Sequence, residues 1–272
     1  HIMRRRQRQM CIRDSPKTIQ SFALDICDAE AVKDLITITQ PDVIYHLAAQ
    51  TFVPAAEKAL RDTYEVNLFG TINFLDAIVE KSKHSKFLFV SSSEVYGEPR
   101  PGALPLSENS EVRPKTTYGA TKAAADLMVH KYAVNEGVDA IRVRPFSHFG
   151  PGQSDRFAVS SFAKQVAAVK LGKSEPVIKV GNLEAKRDYS DVSDIVRGYR
   201  EAVLNGKQGE AYNLCSGESI SIEEILKLII ERSGVDVEIQ VDPERYREVD
   251  IPDMYGTHEK AQNDFGWKPR VD

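Results

Sequence analysis

Tyr118 and Lys122 are the pair of residues whose types and spacing most directly suggest catalysis. They lie four residues apart in a stretch with helical periodicity, so their side chains would share one helix face, one turn apart. A tyrosine at its ordinary pKa of about 10 is a poor acid–base group at neutral pH. A nearby lysine ammonium favours the phenolate and lowers that pKa, which makes proton transfer feasible. The pair therefore predicts a proton-transfer site, although the same spacing arises easily by chance on a surface helix.

A serine-rich turn supplies a second candidate group. Residues 87–90 are apolar at every position, as expected for a strand covered on both faces, and the sequence Ser-Ser-Ser-Glu-Val-Tyr-Gly follows at 91–97. This order places Ser92 at the carboxyl end of a sheet, where open α/β sheets bind their ligands. A serine there can hydrogen-bond a carbonyl oxygen while the tyrosine transfers its proton. A serine-rich loop without a chemical role is the alternative, but it does not predict the glutamate and the Tyr-Gly pair that follow.

The elements around these motifs alternate between strand and helix. Asp28 is typical of a helix N-cap, and Gly137 is typical of the residue just past a helix end. This alternation predicts an α/β fold with a doubly wound parallel sheet. The predicted strands span residues 21–24, 42–47, 87–90 and 140–143, the predicted helices span 28–39, 67–78 and 118–135, and a loop spans 98–114.

The second half of the chain has a mixed pattern. The segment from Ser221 to Glu224 is typical of a capping box, and residues 235–239 alternate as a half-buried strand would. We expect a smaller mixed α/β lobe over the carboxyl edge of the sheet, with some segments returning to the sheet. The other predicted elements are helices at 157–171 and 191–204 and strands at 177–180 and 212–214.

A glycine-rich strand–turn–helix usually begins a dinucleotide-binding fold, because it holds the pyrophosphate. No such glycine run precedes Tyr45. We therefore expect a Rossmann-like domain at 16–150 that lacks its first β-α-β unit, and a mainly substrate-binding lobe at 151–272. Residues 1–15 are rich in arginine; a nucleic-acid-binding arm is one interpretation, and a non-native leader is the one we prefer.

Composition limits the classes of function. The 272 residues are 42% hydrophobic and 28% charged, which is typical of a globular protein. The net charge of −4 gives no electrostatic case for nucleic acid or membrane partners, and the apolar stretches are too short to span a bilayer. Cys11, Cys27 and Cys215 are isolated in the sequence. We therefore predict neither a disulfide framework nor a metal site, and we expect a cytoplasmic location.

Together these motifs resemble the extended short-chain dehydrogenase/reductase family, which contains NAD-dependent epimerases and dehydratases. The resemblance implies that Ser92, Tyr118 and Lys122 form a catalytic triad, and that Lys122 also holds the nicotinamide ribose of NADP or NAD. The motifs that carry it are Asp25-Ile26, His46 to Ala49, Asn67, Ser92, Tyr118 with Lys122, and Arg144 to Phe146. The cofactor-binding residues that it implies are Asp25 and Ile26 beside the adenine, then Leu47, Ala48, Ala49, Val90, Ser91, Tyr118, Lys122, Pro145 and His148.

The carboxyl half is similar to a narrower group of enzymes. Residues 176–189 resemble a segment of GDP-mannose 4,6-dehydratases and GDP-4-keto-6-deoxy-D-mannose reductases, and residues 190–197 and 242–247 are closer to the reductases. Arginine forks suit phosphate and a carboxylate suits a vicinal diol. The implied substrate residues are Arg187 and Arg247 on the pyrophosphate, with Lys164 adding charge, Asp250 on the GDP ribose, and Ser93 and Ser147 nearer the sugar. Ser147 departs from the asparagine that these families usually carry.

The resemblance implies reduction of the C4 ketone of a GDP-4-keto-6-deoxyhexose by NAD(P)H, giving GDP-D-rhamnose or its epimer. Glu94 resembles the base of the dehydratases, so a GDP-mannose 4,6-dehydratase or a related epimerase stays open as an alternative. A nucleotide-sugar-binding module without catalysis is a second alternative, favoured by the missing glycine turn. A purely structural role explains none of the motifs. Relatives of this family usually form homodimers through two long helices, here 67–78 and 118–135.

Overall fold

The computed structural model describes residues 20–246 and 251–271. The predicted leader at 1–15, Arg247 and Asp250 lie outside the described residues. The helices are α1 (Ala29–Thr39), α2 (Val53–Lys58), α3 (Leu60–Tyr64), α4 (Gly70–Lys81), α5 (Thr117–Asn135), α6 (Ala158–Lys170), α7 (Val192–Asn205), α8 (Ile222–Ser233) and α9 (Glu259–Phe265). The strands are β1 (Val43–His46), β2 (Lys86–Val90), β3 (Ala140–Pro145), β4 (Ser147–Phe149), β5 (Val177–Val180), β6 (Lys186–Arg187), β7 (Tyr189–Asp191), β8 (Ala211–Leu214), β9 (Ile220–Ser221), β10 (Glu238–Val241) and β11 (Asp253–Met254).

Four parallel strands form the central sheet in the order β1-β2-β3-β8. β2 lies between β1 and β3, with Phe89 opposite His46 on one side and opposite Arg142 on the other. Because β2 is covered on both faces, Phe87, Leu88 and Phe89 are fully buried. The predicted α/β class with a parallel sheet is confirmed, and β8 brings a segment from the second half of the chain into that sheet.

Apolar clusters cover the two faces of the sheet. On one face Phe87 and Phe89 pack with residues of α1, α4 and α5. On the other face Leu88 and Tyr212 pack with residues of α7 and α9 and with Trp267. Successive side chains of a strand point to opposite faces, so β2 contributes to both clusters. Burial of each large apolar side chain contributes roughly 1.5–3 kcal/mol to stability. The two clusters together stabilise the sheet, and residues 91–97, here called the serine turn, follow the carboxyl end of β2.

The segment at 21–24 does not form the predicted strand. Within the described residues β1 pairs only with β2, so this segment has no neighbouring strand with which to form a backbone ladder. Leu24 and Ile26 still pack against the core, which shows that apolar burial alone does not make a strand. α1 follows as predicted, and Asp28 Oδ1 accepts a hydrogen bond from Ala31 N at 3.1 Å.

The helix predicted at 67–78 begins with a π-helical turn, Glu65–Phe69, before α4 continues it. A π turn holds one extra residue and so changes the direction of the side chains on it. Here it buries Asn67 and leaves Phe69 47% exposed. The backbone at Gly70 packs closely on Ile26, because a β-carbon there would lie 2.7 Å from the Ile26 side chain.

The second half of the described chain forms smaller sheets that pair β5 with β10, β6 with β9 and β11, and β4 with β7. α6 and α8 pack together around Phe162, Ile178 and Leu226. The predicted capping box is confirmed, since Ser221 and Glu224 each bond the other's backbone at the start of α8. No helix in this part of the chain, or elsewhere among the described residues, is long and apolar enough to cross a membrane.

The strand predicted at 235–239 is displaced along the chain. β10 spans Glu238–Val241, and all of its residues are exposed rather than half-buried. Val235 and Val237 do pack against the cluster between α6 and α8, but they lie before the chain reaches the edge of β5. The alternating apolar residues of the sequence are therefore the ones buried just before the strand, whereas the strand itself is exposed.

Candidate active site

The serine turn leaves the sheet at the end of β2. Ser91 N donates to a β3 carbonyl at 2.8 Å, which extends the ladder between the two strands. Ser92 then caps a short 3₁₀ turn, because its Oγ accepts from Glu94 N at 3.2 Å. Gly97 follows at a φ of +64°, where a β-carbon would lie 1.9 Å from Arg113 O. Glycine alone fits this approach, so the returning loop is held tightly against the turn.

The first turn of α5 packs against the serine turn. Thr116 Oγ1 accepts from Gly119 N at 2.9 Å, and Glu57 accepts from Thr117 N and Oγ1 at 2.7 Å each. A carboxylate is favourable at a helix N-terminus because the first N–H groups lack partners within the helix. At Gly119 a β-carbon would lie 2.7 Å from Glu94 O, so the two turns are in close backbone contact. This contact positions the side chains of α5 beside those of the serine turn.

Tyr118 and Ser92 meet here, close enough for the Ser92 hydroxyl to affect the pKa of Tyr118. Burial raises the pKa of Tyr118 to about 12; the neighbouring Ser92 hydroxyl opposes this increase, and the charge of Glu94 adds to it. The net change is therefore an increase rather than the decrease that the spacing of Tyr118 and Lys122 predicts, because the cost of desolvating a phenolate dominates. At neutral pH Tyr118 is therefore a protonated phenol, which is the form that can donate a proton to a substrate oxygen.

Lys122 is the buried cation of the site, with 3% of its surface exposed and its Nζ 4.2 Å from the centre of the Phe89 ring. Burial lowers the pKa of Lys122 to about 7, and the charge of Asp126 opposes that decrease. No hydrogen bond or ion pair joins Lys122 Nζ to another residue of the described part of the chain. Its donors are thus available to hydroxyl groups of a ligand. Beside it, burial and then the Lys122 charge lower the pKa of His46 to about 3, so that ring is neutral.

Asn67 is a residue of the site whose contacts the sequence did not predict. Its Oδ1 accepts from Gln50 N at 2.8 Å, and its Nδ2 donates to Gln50 O at 3.1 Å and to Thr121 Oγ1 at 2.9 Å. Thr121 Oγ1 donates in turn to Tyr118 O at 2.8 Å. Asn67 therefore ties the loop after β1 to the first turn of α5. The available signal in the sequence is an amide in line with the apolar positions of the predicted helix.

The residues predicted to hold the cofactor lie mostly at one edge of the central sheet. Because β1, β2 and β3 are parallel, their carboxyl ends meet at this edge. Tyr118 and Lys122 reach it from α5, and Asp25 and Ile26 precede α1. At the strand ends the structure places Leu47, Ala48 and Ala49 after β1, Val90 and Ser91 at the end of β2, and Pro145 and His148 at and after the end of β3.

This edge fits the nicotinamide half of a dinucleotide. Leu47 and Ala48 are exposed, which leaves their backbone open to a ligand, and the ammonium of Lys122 has unused donors. His148 Nδ1 donates to Phe146 O at 2.9 Å, and burial lowers the pKa of His148, so Nε2 of the neutral ring is an acceptor. The described residues hold no glycine-rich turn that would bind the pyrophosphate.

The residues predicted to bind substrate are more dispersed. Ser93 is buried within the serine turn, and Ser147 begins β4 beside β7. Lys164 is exposed on α6 and pairs with Asp155. Arg187 Nη1 donates to the carbonyl oxygens of residues 186 and 251, at 2.7 and 2.5 Å. The structure thus brings together Ser92, Ser93, Glu94, Tyr118 and Lys122, whereas the roles of Lys164 and Arg187 stay predictions.

A family model described as GDP-mannose 4,6 dehydratase matches residues 3–272. The chain belongs to this family. It is 35% identical over 247 residues to the GDP-6-deoxy-D-mannose reductase of Pseudomonas aeruginosa, covering 91% of this chain and 81% of the reductase. The predicted resemblance to the extended short-chain dehydrogenase/reductases, and to the reductases among them, is confirmed.

Two further relatives of this GDP-mannose 4,6 dehydratase family member are informative. The GDP-6-deoxy-D-talose 4-dehydrogenase of Aggregatibacter actinomycetemcomitans is 32% identical over 244 residues, covering 89% of this chain and 79% of that enzyme. A solved structure, described as RMD from Pseudomonas aeruginosa complexed with NADPH, matches with a TM-score of 0.88 and 31% identity. It covers 100% of this chain and 91% of that chain.

Proposed function

We propose that this chain reduces the C4 ketone of a GDP-4-keto-6-deoxyhexose with NADPH or NADH, giving GDP-D-rhamnose or its C4 epimer. The observation that carries the proposal is the buried, protonated Tyr118 beside Ser92 at the carboxyl edge of the sheet. Two relatives are named GDP-6-deoxy-D-mannose reductase and GDP-6-deoxy-D-talose 4-dehydrogenase, and the second name places a redox reaction at C4 of such a sugar. The solved relative bound to NADPH supports the choice of a nicotinamide cofactor.

In this proposal each residue has a defined task. The nicotinamide, when bound, supplies the hydride. Ser92 Oγ donates a hydrogen bond to the C4 oxygen, and Tyr118 Oη gives that oxygen its proton as the ketone becomes an alcohol. Lys122 holds the nicotinamide ribose through its free N–H donors, and its charge stabilises the phenolate that Tyr118 becomes. Leu47 to Ala49, Val90, Ser91, Pro145 and His148 line the same cofactor site.

Dehydration is the rival that Glu94 supports. A dehydratase needs a base to remove a proton beside a C4 ketone, and Glu94 lies next to Tyr118, whose pKa its charge raises. We favour reduction because the relative with 35% identity is named a reductase, and because a phenol protonated at neutral pH suits donation to a ketone.

The deciding experiment supplies the purified chain with GDP-4-keto-6-deoxymannose and NADPH, and follows oxidation of the nicotinamide. We expect NADPH oxidation by the parent chain, none by Tyr118→Phe, and unchanged rates for Tyr212→Phe, whose hydroxyl bonds to Lys207 N and Asp264. Loss of water from GDP-mannose without NADPH oxidation would instead establish the dehydratase. Tight GDP binding in calorimetry with no NADPH binding would establish a non-catalytic nucleotide-sugar-binding module.

A homodimer through helices is also part of the proposal. Leu127 and Val134 lie seven residues apart on one side of α5 and are 57% and 65% exposed. Leu60, at the start of α3, and Phe69, just before α4, are exposed as well. Such apolar surface on neighbouring helices is typical of a subunit contact. We expect Leu127→Lys to yield monomers in light scattering and Leu228→Lys, on α8, to leave the assembly unchanged; dimers of Leu127→Lys would contradict this interface.

We also propose a reducing, cytosolic compartment. The isolated cysteines of the sequence support it, and the buried Cys215 forms no disulfide with another described residue. Fractionation of the source cells tests this location, and recovery of the chain from an oxidising compartment would contradict it.

A further inference from the structure

A buried cluster of charges lies behind the candidate site and has no part in the chemistry proposed above. Asp126 follows Lys122 by one turn of α5 and is 2% exposed. Arg142 and Arg144 lie two residues apart on β3, so both point to the α5 side of the sheet, and both are buried. Burial of three charges costs free energy unless they are well paired and hydrogen-bonded, so we looked to the contacts of this cluster for its function.

The two arginines share Asp126 but differ in their other contacts. Arg144 makes a bidentate pair, with its Nε 3.0 Å from Asp126 Oδ2 and its Nη2 2.9 Å from Oδ1. Arg142 Nη1 donates to Asp126 Oδ1 at 2.7 Å, and its Nη2 donates to Gly209 O at 2.7 Å, on the side away from the serine turn. Arg144 alone of the two reaches the serine turn.

Arg144 contacts the serine turn through Tyr96, which is the sixth residue of that turn and is 2% exposed. Arg144 Nη1 donates to Tyr96 Oη at 3.1 Å, and Tyr96 Oη donates to Asn213 Oδ1 at 2.7 Å. Tyr96 N also donates to Ser93 O at 3.0 Å, so the aromatic residue is part of the backbone turn that holds Ser92. A single guanidinium thus contacts α5 with one edge and the serine turn with the other.

We propose that Arg144 is a positioning residue that sets Ser92 against Tyr118. It touches neither substrate nor cofactor in this scheme. Its planar fork fixes Asp126 and Tyr96 at once, and through them it fixes the helix that carries the proton donor and the turn that carries the carbonyl-binding serine. A lysine has no such fork, so charge alone would not replace it. This inference rests on the proposed reduction. Alignment of Ser92 with Tyr118 matters because Tyr118 gives its proton to the substrate oxygen that Ser92 holds.

The test compares two matched pairs of variants. Arg144→Lys and Arg142→Lys each keep a buried cation beside Asp126, but only the first removes the link to the turn. Tyr96→Phe and Tyr212→Phe each remove a buried hydroxyl; the Tyr212 hydroxyl bonds to Lys207 N and Asp264 instead, at the other end of β8. Hydrogen exchange of the peptide at 91–97 and steady-state kinetics are measured on all four.

We expect Arg144→Lys to lower kcat by about 100-fold and Tyr96→Phe by about ten-fold, with KM little changed, because small misplacements of reacting groups slow the chemical step. Both should speed hydrogen exchange in the 91–97 peptide and increase the isotope effect on hydride transfer. Arg142→Lys and Tyr212→Phe should lower Tm while leaving kcat and this peptide unchanged.

Equal losses of kcat in Arg144→Lys and Arg142→Lys, or parent-like exchange and kcat in Tyr96→Phe, would overturn the proposal. If Arg144→Lys does not fold, the Tyr96→Phe and Tyr212→Phe pair decides alone. A parent chain that fails to oxidise NADPH refutes the reduction instead. In that event the exchange data still show whether Arg144 and Tyr96 order the serine turn.

Discussion

Burial of Lys122 predicts a specific dependence of stability on pH. The pKa of Lys122 is lowered from 10.5 to about 7 in the folded chain. Between these values the unfolded chain carries the lysine proton and the folded chain does not. Folding within this window therefore releases a proton, so raising the pH makes the folded state more stable. The slope for one proton is about 1.4 kcal/mol per pH unit, and the gain from pH ~7.5 to pH ~9 is about 2 kcal/mol.

The assay is urea unfolding at these two pH values for the parent chain, Lys122→Met and Lys131→Met. Lys131 lies on the same helix but is exposed, so its variant controls for the loss of a lysine. Other titrating groups affect all three proteins equally, and the difference between parent and variant isolates Lys122. We expect Lys122→Met to be inactive, more stable at pH ~7.5, and to lack about 2 kcal/mol of the pH-dependent gain. The same pH dependence in parent and Lys122→Met would refute the burial of this ammonium.

Three shorter predictions follow from other contacts. Asn67→Ala removes the ties between the loop after β1 and α5, so urea unfolding should show a loss of about 2 kcal/mol with reduced kcat, whereas exposed Asn205→Ala should change neither. Glu94→Gln removes a charge that raises the pKa of Tyr118, so the alkaline limb of kcat/KM should move to lower pH, with reduction retained; an unmoved limb would contradict this. Ser221→Ala removes the α8 cap, and thermal unfolding should show a loss of about 1 kcal/mol at unchanged activity; an unchanged Tm would contradict the cap.

Features set by near neighbours in the chain could be predicted from the sequence alone. The four-residue spacing of Tyr118 and Lys122 places them on one face of α5, Asp28 caps α1, and Ser221 begins α8 with a capping box. The apolar run of β2 predicts its burial on both faces. Each of these follows from hydrogen bonds or side-chain contacts within about one helical turn, or from the two-residue period of a strand.

Features set by distant segments could not be predicted. The π turn that buries Asn67 depends on Gln50 and Thr121, which lie 17 and 54 residues away in the chain. The strand at 21–24 fails because pairing needs a partner that local pattern does not reveal. For Tyr118 the sequence indicates the neighbouring lysine, but the direction of the pKa change depends on burial, which only the packed site determines.

The buried charges Asp126 and Arg144 influence both the protonation of Lys122 and the position of the serine turn. Asp126 opposes the loss of the proton from Lys122, and the same carboxylate anchors Arg144, which holds the serine turn through Tyr96. An Asp126→Asn change would therefore disturb both the charge of Lys122 and the alignment of Ser92, and leave two buried arginines without their anion. Tyr96→Phe separates the two effects, because it interrupts the link to the turn while leaving the carboxylate beside Lys122. A loss of kcat in Tyr96→Phe with an unshifted pH profile would assign that loss to alignment, since the charges around Lys122 are unchanged.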